Sequence, residues 1–348
     1  VAGDIDGDGD DEFLVTVRRP EMTVEWFDRA SNGRWKRHVI DEAAPPMGVG
    51  GVLVDVAGKG RLDFISGTDA RSKFVYWWEQ PDDPTRPWAR HVAFELPSNR
   101  THDSIVEDFD GDGRTELVIW NQGAKRIFHV PLPADPHRSP WPDVRTIAEG
   151  VEDQALAVAD IDGDGRPELI AGCSWYKLGA RGGWQRHVFT DEFRAPRLGA
   201  ADFDGDGRPE IALCESDGSF SGITYGRLAV FKPGRRLQDH WTPRVLCEKL
   251  LDPHTLQIAD FDGDGRPDIY TGDMGLGDWT APHPPVQRLY LSRGGDWEEV
   301  VFGEGQGVHE AQVMRIGGRV AVIGKPYRAL DAAGPRAKGA DTFVLWRW

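Results

Sequence analysis

Cysteine is scarce in this chain of 348 residues, which holds only Cys173, Cys214 and Cys247. An odd number in unlike settings, two of them inside apolar stretches, excludes a disulfide framework and reads as buried free thiols. Long apolar runs are lacking as well, so no segment is long enough to cross a bilayer. Positive charge is in deficit: 41 basic against 57 acidic residues give a net charge of −16. That removes the basic field which nucleic acid or an anionic membrane would require. No export leader is visible either, since the chain opens at Val1 inside a strand-like stretch rather than at a methionine. An N-terminal part carrying such a signal is expected to precede it, in a secreted or periplasmic protein.

What the chain does have is a repeated acidic loop. Asp108-Phe109-Asp110-Gly111-Asp112-Gly113-Arg114-Thr115-Glu116 has counterparts beginning at Asp4, Asp160, Asp202 and Asp260, all reading Asp-x-Asp-Gly-Asp-Gly-x-x-(Asp/Glu). Carboxylates at positions one, three, five and nine, with a backbone carbonyl at seven, match the spacing by which hard oxygens wrap calcium, and the glycines permit the turn. The expected ligands are Asp4, Asp6, Asp8, Asp10 and Glu12; Asp108, Asp110, Asp112, Arg114 and Glu116; Asp160, Asp162, Asp164, Arg166 and Glu168; Asp202, Asp204, Asp206, Arg208 and Glu210; and Asp260, Asp262, Asp264, Arg266 and Asp268. The seventh residue of each set acts through its carbonyl. A solvated acidic turn is the bland alternative, but a charge run rarely keeps one carboxylate register five times. Five structural calcium ions would bring the net charge from −16 to −6.

Length alone suggests two domains, but the repeat overrides it. First aspartates stand at 4, 55, 108, 160, 202 and 260, and an apolar copy with Arg315 in that register follows. The copy from Asp55 to Asp63 keeps only its outer acids and places Lys59 where a carboxylate is due, so an ammonium is expected to replace the ion. The copy at Arg315 has no acids and should bind none. Strand-like runs flank each loop, an aromatic run such as Phe74-Val75-Tyr76-Trp77-Trp78 follows, and a fourth run carries Trp-x-Arg-His-Val at Trp35, Trp88 and Trp184. His38, His91 and His187 in that element read as structural. Four strands per unit and seven units predict an all-β, seven-bladed β-propeller with Asp-x-Asp-Gly-Asp-Gly calcium loops. It forms one domain over 1–348, with blades starting near 1, 49, 102, 154, 196, 254 and 309. The last blade ends at its third strand, so a closing strand is expected outside the sequence.

With these loops and strands the chain resembles the FG-GAP/VCBS repeat proteins, a calcium-loop propeller family that hosts adhesion heads, lectins, and lyases or dehydratases of sugars. Alternating strand direction puts the starts of first strands opposite the calcium loops. Six residues before each first aspartate stand Val49, His102, Gln154, Pro196, His254 and His309. A single histidine there is usually a satisfied structural residue, whereas three at one register point to metal or catalytic chemistry. His254, His309 and Glu310 are the expected ligands of zinc or a similar divalent transition metal. His102, oriented by Asp103, is the expected base, with Lys325 or Tyr327 as proton donor or anion stabiliser. Arg71, Trp120, Asn121, Trp175, Tyr176, Lys177 and Asp273 are assigned to saccharide binding, with Trp120, Trp175 and Tyr176 as exposed platforms and Gly324-Lys325-Pro326-Tyr327 as a rigid turn. Most other tryptophans read as core, and His283 is a weaker candidate.

His254-Thr255, His309-Glu310 and Gly324-Lys325-Pro326-Tyr327 together resemble bacterial relatives of the propeller domain of aldos-2-ulose dehydratase. The resemblance implies a metal that polarises a sugar carbonyl while a base removes the neighbouring proton and a hydroxyl leaves. The alternatives are a polysaccharide lyase acting on uronic acids, a calcium-dependent lectin with several sugar sites between blades, and an adhesion head.

Overall fold

Each acidic loop is a turn held from within, and that turn sets the register of the hairpin around it. In the copy at Asp108, the first carboxylate accepts the amides of Gly111 at 2.8 Å and Gly113 at 2.9 Å, while Glu116 Oε2 accepts the amide of Phe109 at 2.8 Å. The other four copies repeat the ninth-position bond, at 2.8 to 2.9 Å. Gly111 and Gly113 take φ of 73° and 83°, a region costly for a side chain with Cβ. The apolar second residue of each loop, Ile5, Phe109, Ile161, Phe203 and Phe261, turns inward and is buried.

The copy at Asp55 keeps the same turn with only its outer acids. Asp55 accepts the amides of Lys59 and Gly60, and Asp63 accepts those of Ala57 and Gln80. The middle carboxylates are therefore not required for the backbone.

The computed structural model describes all residues except 18–21, 31, 70, 152–154, 195, 216–224, 275–283, 328–329, 332–333, 336–342 and 348. Among the described residues seven antiparallel sheets of three or four strands follow one another in chain order, with a two-stranded ribbon of Leu330–Asp331 and Gly334–Pro335 besides, and the fold is a seven-bladed β-propeller. Six sheets have four strands, as in the second blade with Val52–Val54, Asp63–Gly67, Phe74–Glu79 and Ala89–Glu95. The seventh has three, Gly307–Ile316, Arg319–Tyr327 and Val344–Arg347. By density of contacts the chain divides into Val1–Glu152, with three blades, and Asp153–Trp348, with four. No helix among the described residues is long and apolar enough to cross a membrane.

Apolar side chains meet between neighbouring sheets within each unit. Trp77, Val75 and Ile65 of blade two pack on Leu117, Ile119 and Trp141 of blade three, and Trp175 and Ile170 of blade four pack on Ile211, Leu213 and Phe231 of blade five. The recurring fourth-strand histidines stack on third-strand tryptophans, with ring centroids at 4.4 Å for Trp26 and His38, 4.5 Å for Trp77 and His91, and 4.1 Å for Trp175 and His187. Burial pushes all three imidazoles below their ordinary pKa and favours the neutral ring.

Candidate functional site

In the second unit, the opening strands of blades five, six and seven bring Arg197, His254, His309 and Glu310 together. Arg197 is buried, 4% exposed, and its Nη2 lies 2.7 Å from His254 Nε2 and 2.9 Å from Glu310 Oε1. Its Nε donates to the carbonyl of His254 at 3.2 Å. A guanidinium only donates, so His254 Nε2 accepts and the neutral ring carries its proton on Nδ1. His309 stacks on His254, with centroids 4.3 Å apart and planes at 28°, and is half-buried.

Local chain geometry explains this convergence. The strand Pro253–Ala259 shifts register between Pro253 and Thr255, and Gly307–Ile316 shifts between His309 and Gln312. One extra residue in each strand forms a β-bulge, which bends the strand and re-aims side chains. Glu310 sits in the second bulge at φ 54°, left-handed and unfavourable for any residue but glycine. The bulge is pinned where Ala311 N donates to Thr255 Oγ1 at 3.2 Å, and Thr271 Oγ1 in turn donates to the carbonyl of Thr255 at 3.0 Å.

The first unit has its own bulged histidine. His102 is buried, and its strand shifts register opposite Trp120. His102 Nδ1 lies 3.1 Å from Asp103 Oδ2, which leaves Nε2 as the proton-accepting atom of the neutral ring. Asn121 donates through Nδ2 to the carbonyls of Ser98, Asn99 and Arg100 and so fixes the segment that delivers His102.

Several expected roles do not match the positions found. Trp120, Trp175 and Tyr176 are buried, at 2%, 1% and 2% exposure, and are not exposed platforms. The chain turns at Gly172 and Cys173, so Trp175 and Tyr176 belong to the third strand of blade four and face its sheet partners. Lys177 follows them to the acidic end of that blade, where its Nζ contacts Asp162, Asp164 at 2.6 Å and Glu168 at 3.2 Å. Asp273 is fully buried and accepts from Leu251 N, Val286 N and Arg288 Nη1, so it is saturated by protein donors. Gly324-Lys325-Pro326-Tyr327 is not a turn but the end of strand Arg319–Tyr327. There Lys325 pairs directly with His309 and is exposed. Arg71 is exposed in a loop, its backbone amide donating to the carbonyl of Asp69. Lys59 pairs with Glu79 rather than filling its own loop. Gln154 and His283 lie outside the described residues.

Arg197 was not among the expected residues. Its strand has no bulge, so it aligns with Thr255 rather than with His254, and counting six residues back from the aspartate stops one short, at Pro196. Its position also bears on the expected metal. Donor atoms of His254, His309 and Glu310 lie within 4.8 Å of one another, yet Arg197 Nη2 stands between His254 Nε2 and Glu310 Oε1, which are 3.8 Å apart. As placed, these three residues have the spacing to hold an ion, and one between His254 Nε2 and Glu310 Oε1 would have to displace the Arg197 guanidinium.

A family model described as the FG-GAP-like repeat matches residues 108–171 and 202–271. Among solved structures, BBS1N in complex with ARL6DN is similar with a TM-score of 0.57 at 12% identity, over 94% of this chain and 87% of that one. A 6-phosphogluconolactonase, so named provisionally, from Bacteroides fragilis NCTC 9343 is similar with a TM-score of 0.57 at 11% identity, over 99% and 98%. The V. cholerae biofilm matrix protein Bap1 gives a TM-score of 0.46 at 15% identity, and this chain spans 60% of its length. No curated protein matches the sequence. At these identities the structural likenesses concern the fold alone. Repeat, loop register and seven sheets agree with a seven-bladed β-propeller, and residues 108–171 and 202–271 of it are similar to the FG-GAP-like repeat.

Proposed function

We propose that the protein is a carbohydrate-active lyase or dehydratase, eliminating across a carbon–oxygen bond next to a carboxylate or carbonyl of a saccharide. The observation that carries this reading is the buried Arg197, which locks His254 and Glu310 beside the half-exposed His309 on a strained bulge. Strained backbone held by its surroundings is characteristic of sites that pre-organise chemistry. His309 takes the proton from the carbon next to the carbonyl or carboxylate, and the electron pair passes into the enolate. Lys325, paired across the strand from His309, holds the developing negative charge. The enolate then collapses, the carbon–oxygen bond breaks, and the leaving oxygen takes up the proton that His309 carries, which restores the neutral base. Arg197 acts through His254 and Glu310 as a positioning residue.

Calcium at the five acidic loops belongs to the same reading. Asp108, Asp110, Asp112 and Glu116 offer oxygens within 4.8 Å of one another. In the first loop, burial and then the charges of Asp6 and Asp8 push Glu12 up to about 8, against its hydrogen bond from Ile5, a shift that a bound dication would reverse. Calcium-rich surroundings favour a secreted or periplasmic setting.

The test is elimination from uronic-acid polysaccharides and keto sugars, followed by the ultraviolet absorbance of the unsaturated product, in the parent and in Arg197→Met, His309→Ala and His102→Ala. Arg197→Met should lower kcat by about 100-fold or more; it also removes the charged hydrogen bond to Glu310, worth about 1.5 to 3 kcal/mol, so turnover is compared well below the melting temperature of each variant. Turnover that survives His309→Ala but not His102→Ala moves the base to the His102–Asp103 pair. Full turnover in Arg197→Met refutes the reading.

A further inference from the structure

Blade two differs from its neighbours at the end where the others carry acids, and three metal-ligating side chains collect there. Glu79 closes the strand Phe74–Glu79, His91 lies in Ala89–Glu95, and His137 comes from the connection between Arg126–Pro131 and Arg145–Glu149 of blade three. His137 Nε2 stands 3.0 Å, and His91 Nε2 3.4 Å, from the same oxygen, Glu79 Oε2. His91 Nε2 is buried and has only this long, poorly aligned approach to Glu79, an arrangement that leaves room for a better partner such as an ion. Trp77 holds both rings: His91 stacks on it at 4.5 Å, and His137 meets it edge-on at 5.4 Å, with the two imidazole planes at 89° to each other.

These spacings suit coordination. Metal–ligand bonds of about 2.0 to 2.2 Å put neighbouring donor atoms about 3.0 to 3.5 Å apart in octahedral or tetrahedral shells. Two imidazoles and one carboxylate select a divalent transition ion over calcium, which prefers an all-oxygen shell. Lys59 pairs with the other oxygen, Glu79 Oε1, so its ammonium and an ion at Oε2 do not contest one donor atom, and the carboxylate is oriented from behind. His137 is half exposed, with side-chain exposure of 49%, so water completes the shell and the ion exchanges with solvent.

We propose that Glu79, His91 and His137 bind one divalent transition-metal ion, zinc or a near neighbour, which ties blade two to the connecting segment of blade three. This is the blade whose acidic loop has lost its middle carboxylates, so a nitrogen-and-oxygen site stands where the calcium ligands are missing.

The experiment is equilibrium dialysis of the whole chain against micromolar zinc in excess calcium, followed by elemental analysis and thermal melting, in the parent, His137→Ala and Glu79→Gln. The expected result is one zinc fewer per chain in each variant, a zinc-dependent rise in melting temperature in the parent only, and similar melting of all three without zinc. Equal zinc content and equal zinc response in the parent and both variants would overturn the proposal, as would a parent that takes up no zinc.

Discussion

Glu310 allows a test of the site that does not depend on knowing the substrate. Its side chain accepts from Arg197 at 2.9 Å, and its backbone sits at φ 54°. Glu310→Ala and Glu310→Gly both remove the charged hydrogen bond, worth about 1.5 to 3 kcal/mol. They differ in the backbone term. Alanine keeps the left-handed cost of about 1 to 2 kcal/mol, while glycine escapes it at about 0.5 to 1 kcal/mol of extra chain entropy. Glu310→Gly should therefore be the more stable of the two by about 1 kcal/mol, a difference of about 1 to 2 °C in a chain of this size. Gln312, two residues on and back in regular pairing, is the control, where alanine should exceed glycine by about 0.5 to 1 kcal/mol. Differential scanning calorimetry on the four variants reads both orders. If alanine is favoured at both positions, the bulge is not strained as described, and its link to function fails with it.

Asp273→Asn should cost about 1.5 to 3 kcal/mol, because it removes the charged hydrogen bonds that Arg288, 8% exposed, makes to Asp273 and leaves Glu299, at 3.1 Å, as its remaining carboxylate. A variant that melts like the parent but loses ligand would instead make Asp273 a binding residue. Hydrogen bonds from Arg37, then from Thr23, hold Glu25 below the usual carboxylate range despite its burial. Its folded pKa is thus depressed, so its contribution is complete above about pH 4.3 and is lost as pH falls through the folded value. The stability gap between the parent and Glu25→Gln should therefore be constant above about pH 5 and narrow as pH falls below it; a gap that stays constant into acid would contradict this. Chelation should lower the melting temperature, with calcium restoring it better than magnesium, since the loops offer a large oxygen shell. Indifference to chelator in calorimetry would remove the calcium assignment.

The blade count was legible because each acidic loop fixes both ends of a hairpin through side chains that sit at invariable sequence spacings. Asp108 and Glu116 announce the turn, and the strands on either side follow. What stayed hidden depends on single residues that change the count. A bulge at His254 hid Arg197, whose unbulged strand runs one residue ahead. A two-residue turn at Gly172, φ 56°, lies inside an apolar run and moved Trp175 and Tyr176 from one strand to the next. Gly324 and Pro326 suggest a turn, yet a Cβ at Gly324 would lie 2.3 Å from Val308 Cγ2, so glycine is there for close packing between paired strands. His254, His309 and Glu310 were found because they share a register, and the cation that joins two of them could not be, since contact between separate blades leaves no local pattern.

The loop from Asp55 to Asp63 shows in what order such a repeat can erode. Its outer acids satisfy backbone amides, so their loss would unravel the turn, whereas the inner ones serve no amide that the loop cannot do without. A blade can therefore shed ion affinity one inner carboxylate at a time while its hairpin persists, and Lys59 shows that the vacated position tolerates even a reversal of charge. On the proposed calcium reading, ion occupancy and blade number are separate traits, and a propeller built this way can change where it binds cations while its hairpins stay as they are.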